Sequence, residues 1–509
     1  MSLRESCGVF GVDAGSKEAF PYLYWGMLAQ NHRGHQSHGF ATYEDQITIR
    51  SGLGLIPALT ERGIKKRIET LKGRVGIANV RYSTSGSQEA CALRTNAMPI
   101  LRTDRDHALA ISFNGNVVNV RSLQKLVGVD SSLSDAHALC KLMLDAVSKE
   151  GSVEEAARRC MEAVEGAFSI TGMTGDGTLF AFKDPVGIKP LCYGCSDTVK
   201  AFSSESVGLD INGIDHEREM KPGEFMKIED GRAVIEQLSP CRRKAFCAFE
   251  FAYFARPDTM FDGTYVYQAR RDFGVNLARR FSDIASRCVA VLSLPETAND
   301  ATYGFHEESG LPWEMATRRH RYVTQRAFIT CEEERERVIL RKVNLLKPLV
   351  RGRRLAVIDD SIVRGDTTRS TVGRLRAAGA EEINLFITYP PISGPCFYGV
   401  DMATYSELLA ARLEPDEIAA HLGADTVNYQ TIEDFVRATG MPKERLCLGC
   451  VTGEYPTPLA NQIARRIREQ ISRGEPEKGR IYEVPDKQRP RDPANWDQTT
   501  PEIVERTKI

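Results

Sequence analysis

Leu355-Ala356-Val357-Ile358-Asp359-Asp360-Ser361-Ile362-Val363-Arg364-Gly365-Asp366-Thr367-Thr368-Arg369 is the stretch that decides the fold. Its four leading apolar residues read as a buried strand. The segment from Thr368 to Ala378 carries Val372 and Leu375 on one face and is followed by Gly379, which predicts a glycine-capped helix. A second apolar run, Ile383 to Tyr389, comes next. Strand, loop, helix and strand in this order predict a parallel crossover unit, with its ligand site at the carboxyl end of the first strand.

The loop carries the chemistry of a sugar-phosphate site. Glycine permits close backbone approach, Ser and Thr hydroxyls donate to phosphate oxygens, and a helix N-terminus adds free N–H groups and a positive dipole end. Two adjacent carboxylates can accept from vicinal hydroxyls or hold a divalent cation. A bare Asp-Asp pair reads as a solvated acidic turn, but here Arg364-Gly365-Asp366-Thr367-Thr368 follows and opens a helix. The segment resembles the phosphoribosylpyrophosphate (PRPP) loop of type I phosphoribosyltransferases. That resemblance implies that Asp359 and Asp360 hold the ribose hydroxyls and Mg²⁺, and that Ser361 and the run Arg364, Gly365, Asp366, Thr367 and Thr368 bind the substrate through its 5′-phosphate.

Length and composition bound the remainder. A chain of 509 residues accommodates two or three domains with their own cores. The formal charge of −1 gives no general electrostatic reason to bind nucleic acid or an anionic membrane. No run approaches the roughly 18 apolar residues of a membrane-spanning helix, and Arg4, Glu5, Asp13 and Lys17 interrupt any signal-peptide core. The expected location is therefore the cytoplasm. Thirteen cysteines, an odd number in so long a chain, predict reduced thiols rather than a disulfide framework.

Near the start, Cys7 opens an apolar alternation, Cys7-Gly8-Val9-Phe10-Gly11, that reads as a strand. Taken alone it is an ordinary buried cysteine. Downstream come His32-Arg33-Gly34, Arg81-Tyr82-Ser83-Thr84 after the strand 75–80, Asn114-Gly115-Asn116 after the strand 108–113, and Ser134-Asp135. Each polar group lies just beyond an apolar run, so the side chains can converge at one sheet edge. With Asp184-Pro185-Val186-Gly187 and Ser204-Glu205-Ser206, they resemble in order and spacing the glutaminase domain of class II, N-terminal-nucleophile amidotransferases. The resemblance implies a Cys7 nucleophile, an oxyanion hole from Asn114 and the Gly115 N–H, Arg81 on the glutamine α-carboxylate and Asp135 on its α-ammonium. It further implies removal of Met1–Ser6. A thiol with pKa near 8.5 needs a base, and a free α-amine titrating at about 7.7–8.0 on the same residue supplies one. Phe113 and His137 depart from that family's pattern, where His and Glu are usual.

A polar stretch at 232–243 reads as the domain junction. Beyond it lie Cys247-Ala248-Phe249-Glu250-Phe251-Ala252-Tyr253-Phe254-Ala255-Arg256-Pro257, the hydroxyl of Thr297 after the strand 289–294, and the basic cluster Arg318-Arg319-His320-Arg321-Tyr322. Such a cluster is usually a solvated face, yet a pyrophosphate leaving group needs cations that arrive with the substrate, and a loop closing Arg321 and Tyr322 over the site would exclude water. Later come Pro395-Cys396-Phe397-Tyr398-Gly399 and Cys447-Leu448-Gly449-Cys450. A C-x-x-C pair is chelating, redox-active or structural on spacing alone.

The glutaminase pattern followed by the PRPP pattern, from Cys7 to about Thr457, resembles the glutamine PRPP amidotransferase family. One branch of that family ligates a [4Fe–4S] cluster with cysteines in the contexts of Cys247, Cys396, Cys447 and Cys450; four thiolates also suit Zn²⁺. The resemblance places Thr297 with Asp359 and Asp360 at the Mg²⁺ site. It implies an α/β architecture: an N-terminal-nucleophile αββα glutaminase domain over residues 7–235, then a type I phosphoribosyltransferase domain with a mainly parallel sheet over 245–465. Residues 1–6 would be a removed propeptide and 472–509 a polar tail. The implied reaction converts glutamine, PRPP and water to 5-phosphoribosylamine, glutamate and pyrophosphate, the first step of purine synthesis, in a homotetramer regulated by purine nucleotides. A paralogue with an altered acceptor or one lost half-reaction, or a nucleotide-sensing regulator without catalysis, are the competing readings.

Overall fold

A computed structural model describes residues 7–60, 69–82, 90–241, 243–294, 296–319, 343–477 and 479. They form two compact units.

The first unit holds the described residues up to Phe246, together with Cys396–Ala403 and the chain from Tyr455. Two antiparallel sheets of seven and six strands make its middle layers. In the first sheet, β1 (Gly8–Asp13) lies between β2 (Val75–Arg81) and β5 (Val199–Ser203). In the second, β3 (Ala108–Val117) pairs with β4 (Gly166–Thr174). Strand alternation sends successive side chains to opposite faces, so one strand serves two cores. From β1, Phe10 and Val12 pack under α1 (Ala19–Ala29) with Phe20, Leu23 and Met27, while Val9 joins Ile77, Met173 and Leu179 between the sheets. From β4, Phe168 and Ile170 pack with Leu139 and Met143 of α2 (Asp135–Glu150) and Cys160 of α3 (Val153–Ala163). Helix, sheet, sheet, helix is the expected αββα order.

The second unit comprises Cys247–Pro395 and Thr404–Glu454. Its four-stranded sheet runs β6 (Ala290–Ser293), β7 (Arg354–Asp359), β8 (Glu382–Ile387) and β9 (Thr426–Tyr429), every pairing parallel. Both faces are covered, as parallel sheets require: Leu355, Val357 and Leu385 join one core and Ala356, Ile358 and Phe386 the other. The crossover helix α4 (Asp366–Ala377) buries Thr368, Val372 and Leu375. It starts two residues earlier than its apolar pattern predicts. Gly365 caps it at φ +78°, a backbone conformation that favours glycine, and a Cβ there would also push on Leu409 Cδ1 at 2.5 Å.

Chain order and unit membership do not coincide. Cys396–Ala403, which the sequence places inside the second domain, belongs to the glutaminase-like unit, as does the closing helix α5 (Pro458–Ser472). Residues 1–6 and the polar tail from 480 onward lie outside the described residues.

Candidate active sites

In the first unit the strands deliver a nucleophile. Cys7 sits immediately before β1 and is 8 % exposed. Its carbonyl accepts from Arg33 Nε at 3.1 Å, and Arg33 Nη1 reaches Glu205 at 2.6 Å, an ion pair with both side chains buried. His32 Nε2 lies 2.8 Å from the same carboxylate. Ser204 Oγ accepts from Val9 N at 3.0 Å. Asn79 Nδ2 donates to the Gly8 carbonyl at 2.9 Å and lies 3.4 Å from that of Phe113, bridging the start of β1 to the middle of β3. Burial pushes the Cys7 thiol up, against the pull of the Arg81 guanidinium, the Tyr82 backbone and Lys189. The site as described therefore favours a neutral thiol, which needs a nearby base to ionise.

The oxyanion candidates follow from β3. Its ladder runs through Asn114 and Gly115 to Val117 rather than stopping at Phe113. A Cβ at Gly115 would stand 1.9 Å from the Ala167 carbonyl, so the close pairing of β3 with β4 demands glycine. Asn114 is fully buried, and neither atom of its carboxamide has a hydrogen-bond partner among the described residues. Leaving such a group unsatisfied costs about 1–3 kcal/mol, an expense that a ligand oxygen would remove.

Arg81 ends β2 and is buried. Asp135 opens α2 behind Ser134, and its carboxylate accepts from Val117 N at 3.2 Å and Ala136 N at 3.0 Å. Burial raises the Asp135 carboxyl, with Arg81 opposing, and the charges of both residues reach the Cys7 thiol. Cys7, Arg81 and Asp135 are thus brought together. Ser83 and Thr84 lie outside the described residues. Phe113 packs in the core, and His137 Nε2 lies 3.1 Å from the Thr95 carbonyl. Asp184 is spent on structure, accepting from Phe168, Val186 and Gly187 N–H groups.

In the second unit the acid pair stands at the carboxyl end of β7, as expected. Asp359 Oδ2 accepts from Thr368 Oγ1 at 3.1 Å and its Oδ1 from Asp360 N at 3.0 Å. Asp360 Oδ1 accepts from Ser361 Oγ at 2.7 Å, and Thr297 also donates to this carboxylate. Burial and the Asp360 charge push Asp359 well above the carboxylate range; burial pushes Asp360 up to about 6, with Arg270 opposing. Paired carboxyls that resist ionising together are a set of hard oxygen donors suited to a divalent cation. Arg364 Nε donates to Glu407 Oε2 at 2.6 Å, and Glu407 Oε1 accepts from Thr404 N at 2.9 Å. Arg321 and Tyr322 lie outside the described residues.

Cys247 and Cys447 sit on paired two-residue strands. Tyr389 Oη lies 3.5 Å from Cys450 Sγ, and its phenol is raised by burial and by the three thiols Cys450, Cys247 and Cys447. Elsewhere among the described residues, Cys192, His216 and Glu219 form a group of metal-capable donors mutually within 4.8 Å. In that group Cys192 Sγ donates to the Ser203 carbonyl, and His216 Nε2 stands 3.4 Å from the Glu219 carboxylate. Cys396, in the first unit, has its sulfur 3.3 Å from Tyr398 N, which donates to it.

Comparison with known proteins follows the same division. The glutamine amidotransferase domain family matches residues 87–210. The amidophosphoribosyltransferase of Methanothermobacter thermautotrophicus is 34 % identical across 91 % of this chain and 97 % of its own length. The chain belongs to the amidophosphoribosyltransferase family. The amidophosphoribosyltransferase of Synechococcus elongatus is 35 % identical over 91 % of this chain and 93 % of that protein. Among solved structures, the glutamine PRPP amidotransferase of B. subtilis complexed with ADP and GMP superposes with a TM-score of 0.80 at 32 % identity, covering 89 % of this chain and 98 % of that one. Like other amidophosphoribosyltransferases, this chain is a glutamine-dependent transferase of purine biosynthesis with an amidotransferase half and a phosphoribosyltransferase half.

Sequence reasoning missed the buried Arg33–Glu205 pair, the Asn79 bridge and the Glu407 grip on Arg364. The first two join residues far apart in the chain and leave no periodic signal.

Proposed function

We propose that Cys7 attacks the side-chain amide of glutamine, and that the ammonia released displaces pyrophosphate from carbon 1 of PRPP to give 5-phosphoribosylamine. The observation that carries the amidase half is the buried, unpartnered carboxamide of Asn114 beside the strand that presents Cys7. Asn114 and the Gly115 N–H hold the oxyanion as the thiol adds; one such donor is worth roughly 3–4 kcal/mol. The carbon–nitrogen bond then breaks, ammonia leaves with a proton, and water converts the glutamyl thioester to glutamate. Arg81 and Asp135 hold the α-carboxylate and α-ammonium of glutamine in charge-assisted hydrogen bonds. The α-amine of Cys7, exposed by removal of Met1–Ser6, is the base that the raised thiol requires.

In the second unit Asp359 and Asp360 bind the ribose hydroxyls and, with Thr297, Mg²⁺, which when bound neutralises the diphosphate leaving group. Ser361 and residues Arg364 to Thr368 hold the 5′-phosphate at the start of α4, where N–H groups and the helix dipole favour an anion. Arg321 and Tyr322 close over the diphosphate. Cys247, Cys396, Cys447 and Cys450 ligate a [4Fe–4S] cluster. Four thiolates suit an iron–sulfur core, and the N–H donor on Cys396 suits a thiolate ligand. The enzyme works in the cytoplasm as a homotetramer regulated by purine nucleotides, a reading that rests on its family resemblance.

Intact mass of purified, glutamine-active protein tests the first half: a chain beginning at Cys7 is expected, and full glutamine-dependent activity with Met1 retained would overturn the base assignment. Iron and sulfide analysis after anaerobic purification tests the cluster. About four of each per chain are expected, and stoichiometric zinc instead would refute it.

A further inference from the structure

The oxyanion-hole strand is backed by a piece of chain from the other half of the sequence. Cys396–Ala403 leaves the second unit after Pro395, folds with the first, and returns at Thr404. Its own closure is tight: Cys396 N donates to the Met402 carbonyl at 2.8 Å. Two contacts then fall on the residues that follow Asn114. The buried carboxamide of Asn116 donates from Nδ2 to the Phe397 carbonyl at 2.9 Å. Gly399, at φ +98°, lies so near Gly115 that a Cβ would meet the Gly115 carbonyl oxygen at 3.1 Å and its carbon at 3.4 Å, with Lys189 Cε at 3.5 Å.

The far side of the segment is anchored as firmly. The Phe397 ring meets Tyr455 edge-on at 4.7 Å, and Tyr398 Oη pairs with Thr457 Oγ1 at 2.9 Å and accepts from Thr457 N at 3.2 Å. Leu459 N, at the start of α5, donates to Glu165 at 3.0 Å. The segment is therefore clamped between the C-terminal stretch and the backbone of Gly115. The peptide it presses on carries the carbonyl of Gly115, the same residue whose N–H is assigned to the oxyanion hole. A shift of a few tenths of an ångström at Gly399 must be absorbed there or in the segment.

We propose that Gly399 and the Asn116–Phe397 hydrogen bond are positioning elements of the amidase site, fixing the aim of the Gly115 N–H and Asn114 carboxamide from behind. This rests on the oxyanion assignment made above. Nothing in the segment touches the reacting atoms; it acts through β3. The expectation is unusual in that a substitution within the stretch that sequence assigns to phosphoribosyl transfer damages glutamine hydrolysis selectively.

The test compares the full-length protein with Gly399→Ala, Asn116→Asp and Asn114→Ala in two assays: glutamate release from glutamine, and pyrophosphate release from PRPP with ammonium as the nitrogen source. Gly399→Ala adds a Cβ where φ is positive and space is short. Asn116→Asp is isosteric and turns the donor facing Phe397 into an acceptor, so it decides the matter should Gly399→Ala not accumulate folded. Expected for both is a fall in glutaminase kcat of about ten- to a hundred-fold, with glutamine KM and ammonium-supported activity within about two-fold of the parent. A glutaminase kcat within two-fold of the parent for both, alongside a collapse in Asn114→Ala, would overturn the positioning role alone. Equal losses in both assays would reduce the segment to a structural role and overturn it too. Undiminished glutaminase in Asn114→Ala would instead overturn the oxyanion assignment beneath it.

Discussion

Replacing Asp360 by Asn should make the second unit more stable while disabling it. Asp360 titrates at about 6 against an ordinary 3.8, and Asp359 beside it is raised further by burial and by the Asp360 charge. A raised acid binds its proton more tightly folded than unfolded, so stability is highest with the pair protonated and falls as pH climbs from about 4 through 6. A shift of about two units corresponds to some 3 kcal/mol at 1.4 kcal/mol per unit, and partial solvent access to the pair lowers this to about 1–3 kcal/mol. The amide keeps an acceptor for Ser361 Oγ and Thr297 but carries no charge. At pH 8 without Mg²⁺, Asp360→Asn should therefore melt roughly 2–10 °C above the parent for a unit of this size, and at about pH 3.5, below the unfolded value of 3.8, the two should nearly coincide. PRPP turnover should be lost with either nitrogen donor. Equal melting points at pH 8, or a variant that melts lower there, would refute the reasoning that the buried charge of the pair destabilises the unit.

Three further outcomes follow from the same geometry. Arg33→Met takes the guanidinium from the buried Glu205 carboxylate, leaving His32 beside it, and releases the Cys7 carbonyl; it should cost up to about 3–5 kcal/mol in the first unit, read by urea denaturation. Mg²⁺-dependent PRPP binding, followed by calorimetry, should weaken as pH falls through about 6, because protonated Asp359 and Asp360 hold a cation poorly. Glu407→Gln weakens the grip on Arg364 seen here; if phosphate must win that guanidinium from Glu407, the KM for PRPP should fall severalfold, and a rise would show instead that Glu407 holds Arg364 in place for phosphate.

What the sequence disclosed and what it withheld divide along physical lines. The β7–loop–α4–β8 unit was legible because an apolar run buried on both faces, a glycine turn and a helix stripe are all local signals. Cys7, Arg81 and Asp135 were found through the order of motifs, and the fold does bring their charges together. The end of β3 was misplaced: the polar run Asn114-Gly115-Asn116 looks like a turn, but pairing with Phe168 and Ala167 carries the strand through it, and register with a distant strand is not a local property. Arg33 and Glu205 are 172 positions apart, and Asn116 and Phe397 are 281 apart. Nor could composition show that Cys396–Ala403 folds with the other half of the sequence.

The most direct test of the whole account measures glutamate and pyrophosphate together in purified protein supplied with PRPP and Mg²⁺. With glutamine, the parent should release the two in equal amounts, and Cys7→Ala should release neither while still releasing pyrophosphate when ammonium replaces glutamine. Glutamine-supported pyrophosphate release by Cys7→Ala, or no pyrophosphate from the parent on either nitrogen source, would contradict it.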